Sequence, residues 1–337
     1  MPPKQKKPQP EEKEEVEYLL QVIFFPNSFL TQKAVVVCDN YSAALKPLSN
    51  DIHPILLPLA GTPILGYTLE FLERGGVEDI ILICSSFPTQ IRSYIASSRW
   101  GENGYPVKVR IVVAAAATSS GDALREIDRL NLVSSDFVLC QGGVLCTLPL
   151  PSILEEHRRV KQLDKDQLLM TLVTMQTEAN AAFSPRRYVD EGKYINERNL
   201  QQVRLHVLGQ ENAHQSSSYE FYRCLVSEYL DIQPEKKRQV SISRDILAHH
   251  SNFYFRNDLY SCNIQICTPE VLILNFRTRL TQVPALFTDN FDYEDLERDL
   301  VNGVLTSDLL MKNIYCYIGK SGYSGHIASL DEYWQCR

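Results

Sequence analysis

The residues best placed to do chemistry lie in the turn DNYSAA (39–44). It closes the apolar run KAVVVC (33–38) and leads through LKPL (45–48) and ILLPL (55–59) into a helical stretch. A strand, a turn and a helix in that order frame a nucleotide-binding loop, because turn N–H groups and a helix N-terminus both favour phosphate. The turn's own residues argue the other way. It holds no glycine to let a phosphate reach the backbone, and no lysine or arginine to neutralise one. Asp39 instead puts a negative charge where phosphates would sit. A second carboxylate, Asp122 in SSGDALREID (119–128), begins a helical stretch and reads as a first-turn acid complementing the helix dipole. A third group, Asn290, Phe291, Asp292 and Tyr293 in FTDNFDYED (287–295), sets two rings among acids at the start of a charged helix. That pattern suits an interface anchor, with Tyr293 the more exposed ring. The alternative is a helix start capped by Asn290, with Phe291 in the core.

Metal chemistry finds no ligands. The nine cysteines are scattered with no CxxC pair, and most, such as Cys38 and Cys84, sit inside apolar runs. They read as buried hydrophobes in a reducing compartment. The histidines have no metal-ligand spacing, and Arg186-Arg187-Tyr188 reads as a solvated surface. No catalytic, cofactor-binding or metal-binding residue is assigned. A formal net charge of -7 gives no global attraction to nucleic acid or an anionic membrane. No apolar segment is long enough to cross a bilayer, and the charged, proline-rich start lacks a secretory core. The chain is expected in the cytoplasm.

The elements that must position the turn alternate in type. Residues 1–15 read as a disordered tail, lysines first and glutamates after. Strands are expected at 33–38, 77–84, 107–113, 136–140 and 167–175. Helices are expected from about 64 to Gly75-Gly76, and at 90–98, 121–130 and 151–163, with Thr62 as N-cap and Pro63 at the first helical position of the first. Such alternation predicts an α/β domain, a mostly parallel central sheet with helices on both faces. Its ligand crevice should lie at the carboxyl ends of the strands, where the turn after KAVVVC is. The second half is less regular. Strands are expected at 202–209, 219–226, 261–268 and 313–318, polar connectors at 177–199, 211–218 and 233–238, and helices from 269 and over 290–305.

With LKPL and ILLPL at their spacing, the opening segment resembles the nucleotidyltransferases that make nucleotide-sugars, whose signature runs GGxGTRLxPLT, then PKPLLPV, then a helix. Leu45, Pro47, Leu48, Leu56, Leu57, Pro58, Gly61, Thr62, Pro63 and Tyr67–Glu70 match that frame. The resemblance implies a Rossmann-like nucleotide-sugar pyrophosphorylase fold. It also implies which chemistry is missing. Asp39, Asn40 and Ser42 stand where the family has loop glycines, Ala44 where it has the arginine and Pro54 where it has the lysine. Gly143 stands where a magnesium-binding aspartate follows the strand. Without those groups, charge on a transferring phosphoryl has nothing to balance it.

Further stretches narrow the resemblance. The run from Val35 to Ser86, SSGDALREIDRLNLVSSDFVLCQGGV (119–144) and FTDNFDYEDLERDLVNGVLTSDLL (287–310) resemble the epsilon-subunit family of eukaryotic translation initiation factor 2B, over residues 30 to 320. That resemblance implies a pseudo-nucleotidyltransferase domain at 16–320, with 321–337 the start of a linker towards a left-handed β-helix that lies, with an exchange-catalysing helical domain, outside this chain. It implies a non-catalytic scaffold and substrate-docking role in a guanine-nucleotide exchange factor. The partners it implies are the gamma and regulatory subunits, with initiation factor 2 as substrate and Asn290–Tyr293 as partner-binding residues. The alternative is an active or ligand-sensing sugar-nucleotide transferase.

Overall fold

A computed structural model describes residues 32–41, 44–101, 107–164, 167–176, 206–215, 219–224, 253–256, 259–272, 299–305 and 312–336. Asn290, Phe291, Asp292 and Tyr293 lie outside the described residues, as does the N-terminal tail.

The first half alternates as its periodicity demands. Strand β1 (Lys33–Val37) is followed by a 3-10 turn (Pro54–Leu56), a short β2–β3 ribbon (Pro58–Leu59, Thr62–Pro63) and helix α1 (Ile64–Arg74). Then come β4 (Asp79–Cys84), α2 (Pro88–Ser97), β5 (Lys108–Val113), α3 (Ser120–Arg129), β6 (Phe137–Gln141), β7 (Val144–Cys146), α4 (Leu150–Leu163) and β8 (Leu168–Gln176). The remainder supplies β9 (His206–Gln215), β10 (Tyr219–Cys224), β11 (Phe253–Arg256), β12 (Leu259–Cys267), α5 (Val301–Leu305), β13 (Asn313–Gly319), β14 (Ser324–His326) and α6 (Leu330–Cys336).

Ten strands form one sheet in the order β11-β9-β10-β13-β8-β12-β6-β1-β4-β5. β5, β4, β1, β6, β8, β13 and β9 point one way, and β12, β10 and β11 run against them. The sheet is therefore mixed but mostly parallel. Its two faces are buried by different helices. Ala34, Val36, Ile80 and Leu82 face α1, α2 and α4 through Leu69, Ile91 and Ile153. Val35, Val37, Ile81 and Ile83 face α3 and α5 through Leu124, Ile127 and Val301. Burial on both sides is why β1 and β4 are continuous apolar runs rather than alternating ones. Each fully buried Val, Leu or Ile contributes about 1.5–3 kcal/mol relative to exposure.

Some expectations shift. Thr62 and Pro63 form β3, and the N-cap of α1 is Pro63 rather than Thr62, without a side-chain hydrogen bond; Pro63 pairs with Pro58. The expected polar connector at 211–218 is partly strand, since β9 runs to Gln215 and pairs with β10 and β11. Cross-strand pairing there overrides a composition that reads as loop. The folded structure also continues past residue 320. β14 pairs antiparallel with β7, and α6 places Tyr333 in a third core with Leu45, Leu57, Leu59, Ile64, Leu145 and Ile327. Residues 324–336 thus pack against the domain as a strap rather than leaving it directly.

Candidate functional site

The chain leaves β1 for β4 and β5 on one side of the sheet, then returns to β6 on the other side of β1. That reversal opens a crevice between the carboxyl ends of β1 and β6, the place where open α/β sheets hold ligands. A cavity of about 260 Å³ occupies it, lined by Asp39, Asn40 and Tyr41 from the turn, Thr118–Ser120 before α3, Gln141 and Gly142 after β6, and His326 from β14. The lining is rich in hydroxyls and amides. No lysine or arginine is among the described lining residues.

Asp39 does not point at a ligand. Its carboxylate crosses to the turn after β4, where it accepts the backbone N–H of Ser85 at 2.5 Å and of Ser86 at 3.3 Å, and the hydroxyl of Ser86. His53 approaches from a third direction, its Nε2 lying 3.4 Å from Asp39 Oδ1. That contact is long for a hydrogen bond, and we read it as mainly electrostatic. The imidazole is fully buried. Its Nδ1 accepts the N–H of Ile55 at 3.2 Å, so in the neutral ring the proton sits on Nε2, facing the carboxylate. Gln90 ties the other end, accepting the His53 backbone N–H at 3.0 Å. Burial pushes the Asp39 carboxyl up, but the His53 imidazole beside it and the hydrogen bonds from Ser86 and Ser85 outweigh it and hold the group below its ordinary range. Burial, then the nearby Asp39 charge, pushes the Tyr41 phenol up. Burial, with Cys84 and Asp39 close by, pushes the Cys38 thiol well up, so that cysteine is a packed hydrophobe and no nucleophile.

Asp122 behaves as its position in the sequence implies. Its Oδ2 accepts the Thr118 N–H at 3.0 Å and the Thr118 hydroxyl at 2.8 Å, and its Oδ1 accepts from Arg125 at 2.5 Å. The Ser119 hydroxyl in turn accepts the Asp122 N–H at 3.1 Å. Ser119 thus caps the helix, and Asp122 reaches back to fasten Thr118, the residue before that cap. Burial, the largest single influence, raises the Asp122 carboxyl, and the Arg125 and Thr118 bonds together bring it down to about 2.

The position after β6 explains its own glycines. Gly142 donates to Val37 O, and a Cβ there would lie 2.7 Å from Cys38 O. Gly143 has φ +87°, and a Cβ would lie 2.8 Å from the carbonyl oxygen of Ile327. The strap occupies this space: Ile327 N–H donates to Gly143 O, and His326 Nε2 lies 2.9 Å from Gly142 O. Asn40 Nδ2 donates to Ala328 O at 2.8 Å, Leu330 N–H to Ala44 O, and Tyr333 OH to Pro58 O at 2.5 Å. The turn after β1 and the glycines after β6, two places where the resemblance puts an absent catalytic group, therefore carry packing contacts. No group of three or more potential metal ligands occurs among the described residues.

Comparisons with known proteins agree with this geometry. The nucleotidyl transferase family matches residues 41–184. The translation initiation factor eIF2B subunit epsilon of Schizosaccharomyces pombe is 35% identical over 301 residues, covering 89% of this chain and 39% of that protein. Its counterpart in Dictyostelium discoideum is 32% identical over 89% of this chain and 37% of that protein. This chain is a relative of the eIF2B epsilon subunits. It spans about two fifths of the length of the curated relatives it matches. A crystal structure of UDP-glucose pyrophosphorylase complexed with UDP-glucose superposes with a TM-score of 0.57 at 13% identity, over 91% of this chain and 97% of that one. That likeness establishes the fold, a nucleotidyltransferase fold of the pyrophosphorylase kind.

Sequence reasoning located the crevice, the turn and Asp122. It missed His53, Ser85, Ser86, His326 and Ile327. The one available signal was His53, a polar residue one position before Pro54 inside an otherwise apolar run. The strap residues gave none.

Proposed function

We propose that this chain is a non-catalytic scaffold and substrate-docking part of the guanine-nucleotide exchange factor eIF2B, working in translation initiation and its regulation in the cytoplasm. One observation carries the reading: Asp39 spends its carboxylate on Ser85, Ser86 and His53, at the position where the resembling enzymes have a phosphate-loop glycine. A loop that donates its own anion to its neighbours has no means of gripping a triphosphate. Packing of Ile327 against Gly143 adds support, because no carboxylate fits there beside the strap. Among the described residues no helix is long and apolar enough to cross a membrane.

The partners on this reading are the gamma and regulatory subunits, with the GTPase initiation factor 2 as substrate, engaged through Asn290, Phe291, Asp292 and Tyr293. Co-purification tests it. The chain is expected to hold the gamma subunit as a heterodimer, and absence of a complex between two folded proteins overturns the proposal. Asp292→Lys with Tyr293→Ala should weaken capture of initiation factor 2 by at least about tenfold while leaving the heterodimer intact.

The hydroxyl- and amide-lined cavity supports a second reading, a ligand sensor without turnover. Calorimetric titration with nucleotides and sugar-nucleotides separates the two: heat that saturates favours the sensor, and a flat trace ends it.

A further inference from the structure

The Asp39 contacts have a chemistry of their own, independent of the exchange-factor reading. Three donors of one turn converge on one point, the N–H groups of Ser85 and Ser86 and the Ser86 hydroxyl, and the Nε2 of His53 lies 3.4 Å from it on a second segment. Consecutive backbone N–H groups aimed at one spot form an anion-binding concavity. The next residue, Phe87, holds φ +44°, a left-handed conformation that a non-glycine side chain adopts at a cost. His53 is fully buried, and its Nε2 makes no hydrogen bond among the described residues. A buried donor with nothing to bind costs about 1–3 kcal/mol, so the arrangement is stable only with an acceptor in its centre.

We infer that the Ser85–Ser86 turn with His53 is a binding site for a small oxyanion of carboxylate size, and that the chain keeps it filled with Asp39 as a built-in ligand.

The cradle lies at the side of the crevice, and Asp39 belongs to both. With the carboxylate committed to the cradle, its charge is partly balanced by donors behind it. The cavity above then presents amides and hydroxyls of Asn40, Thr118, Ser119 and Gln141, a surface suited to uncharged polar groups. Occupancy of the cradle and exclusion of phosphate from the crevice are two results of one contact.

Removing the built-in ligand exposes the site. Asp39→Gly should melt well below the native protein in chloride. Sodium formate at equal ionic strength should then raise its midpoint in a concentration-dependent way by at least about 2 °C, because a ligand that binds only the folded state stabilises it by mass action. The native protein, its cradle full, should show no difference between formate and chloride. Asp39→Gly with Ser86→Ala should lose most of the response. If Asp39→Gly is recovered only unfolded, refolding in formate against chloride gives the same reading: recovery in formate alone supports the site, and failure in both overturns it. Asp39→Asn keeps the shape and one acceptor, so it should fold in chloride and gain nothing from formate. Equal shifts in native protein and Asp39→Gly, a shift in neither, or a gain in Asp39→Asn matching that of Asp39→Gly would each overturn the inference.

Discussion

Two aspartates stand near one crevice at turns that follow strands of the same sheet, and they do different work. Asp122 bonds inside its own turn, to Thr118 and Arg125, no more than four residues away. Asp39 bonds across the sheet to residues 46 and 47 positions distant, and faces His53 from a third segment. Asp122 stabilises one helix. Asp39 fastens the turn after β1 to the turn after β4 and to the segment before α1. A local carboxylate leaves its neighbours free to change, whereas a long-range one fixes three segments at once.

The largest effect is expected at the long-range site. Asp39→Ala leaves two N–H groups, a hydroxyl and an imidazole without their acceptor, and should cost about 3 kcal/mol in denaturant unfolding. A loss under about 1 kcal/mol would make Asp39 no different from a cap and erase the contrast. Next comes Gly143→Asp. It restores the carboxylate of the resembling enzymes, but its Cβ meets the Ile327 carbonyl oxygen at 2.8 Å. The change should destabilise by about 2 kcal/mol, increase protease cleavage within 324–336, and create no magnesium binding by calorimetry. Stoichiometric magnesium binding with the strap in place would break the account of this corner. Asp122→Ala should cost only about 1 kcal/mol, as expected for a lost cap.

Acid sharpens the same comparison. Both carboxyls are held below the ordinary 3.8, so their contributions are present above that pH and are lost as pH falls through the lowered folded values. The stability gap between native protein and Asp39→Ala should be constant from about pH 5 to 7 and close below about pH 4. A gap that widened in acid would mean that Asp39 is protonated in the folded state.

The contrast also marks what the sequence could disclose. Asp122 was legible because Ser119, Asp122 and the apolar spacing of Leu124 and Ile127 lie within one window of ten residues. β1, β4, β6 and β8 were legible because burial on both faces requires continuous apolar runs. The absent glycines of the turn were visible too. Asp39 itself could be read only as a misplaced charge. Its partners lie in segments with no local mark, brought together by the parallel register that sets Val37 beside Ile83. The strap was hidden for the same reason. Ser324–His326 is too short to read as a strand and exists as one because β7 pairs with it. The partly polar β9 shows the rule from the other side, where sheet neighbours impose a conformation that composition does not suggest.

On the proposed reading, this crevice is held closed to phosphate transfer. Pyrophosphate release tests it most directly, with the folded chain, magnesium, each nucleoside triphosphate in turn and a panel of sugar 1-phosphates. No release above a boiled control is expected for any pair. Saturable, magnesium-dependent release would contradict it.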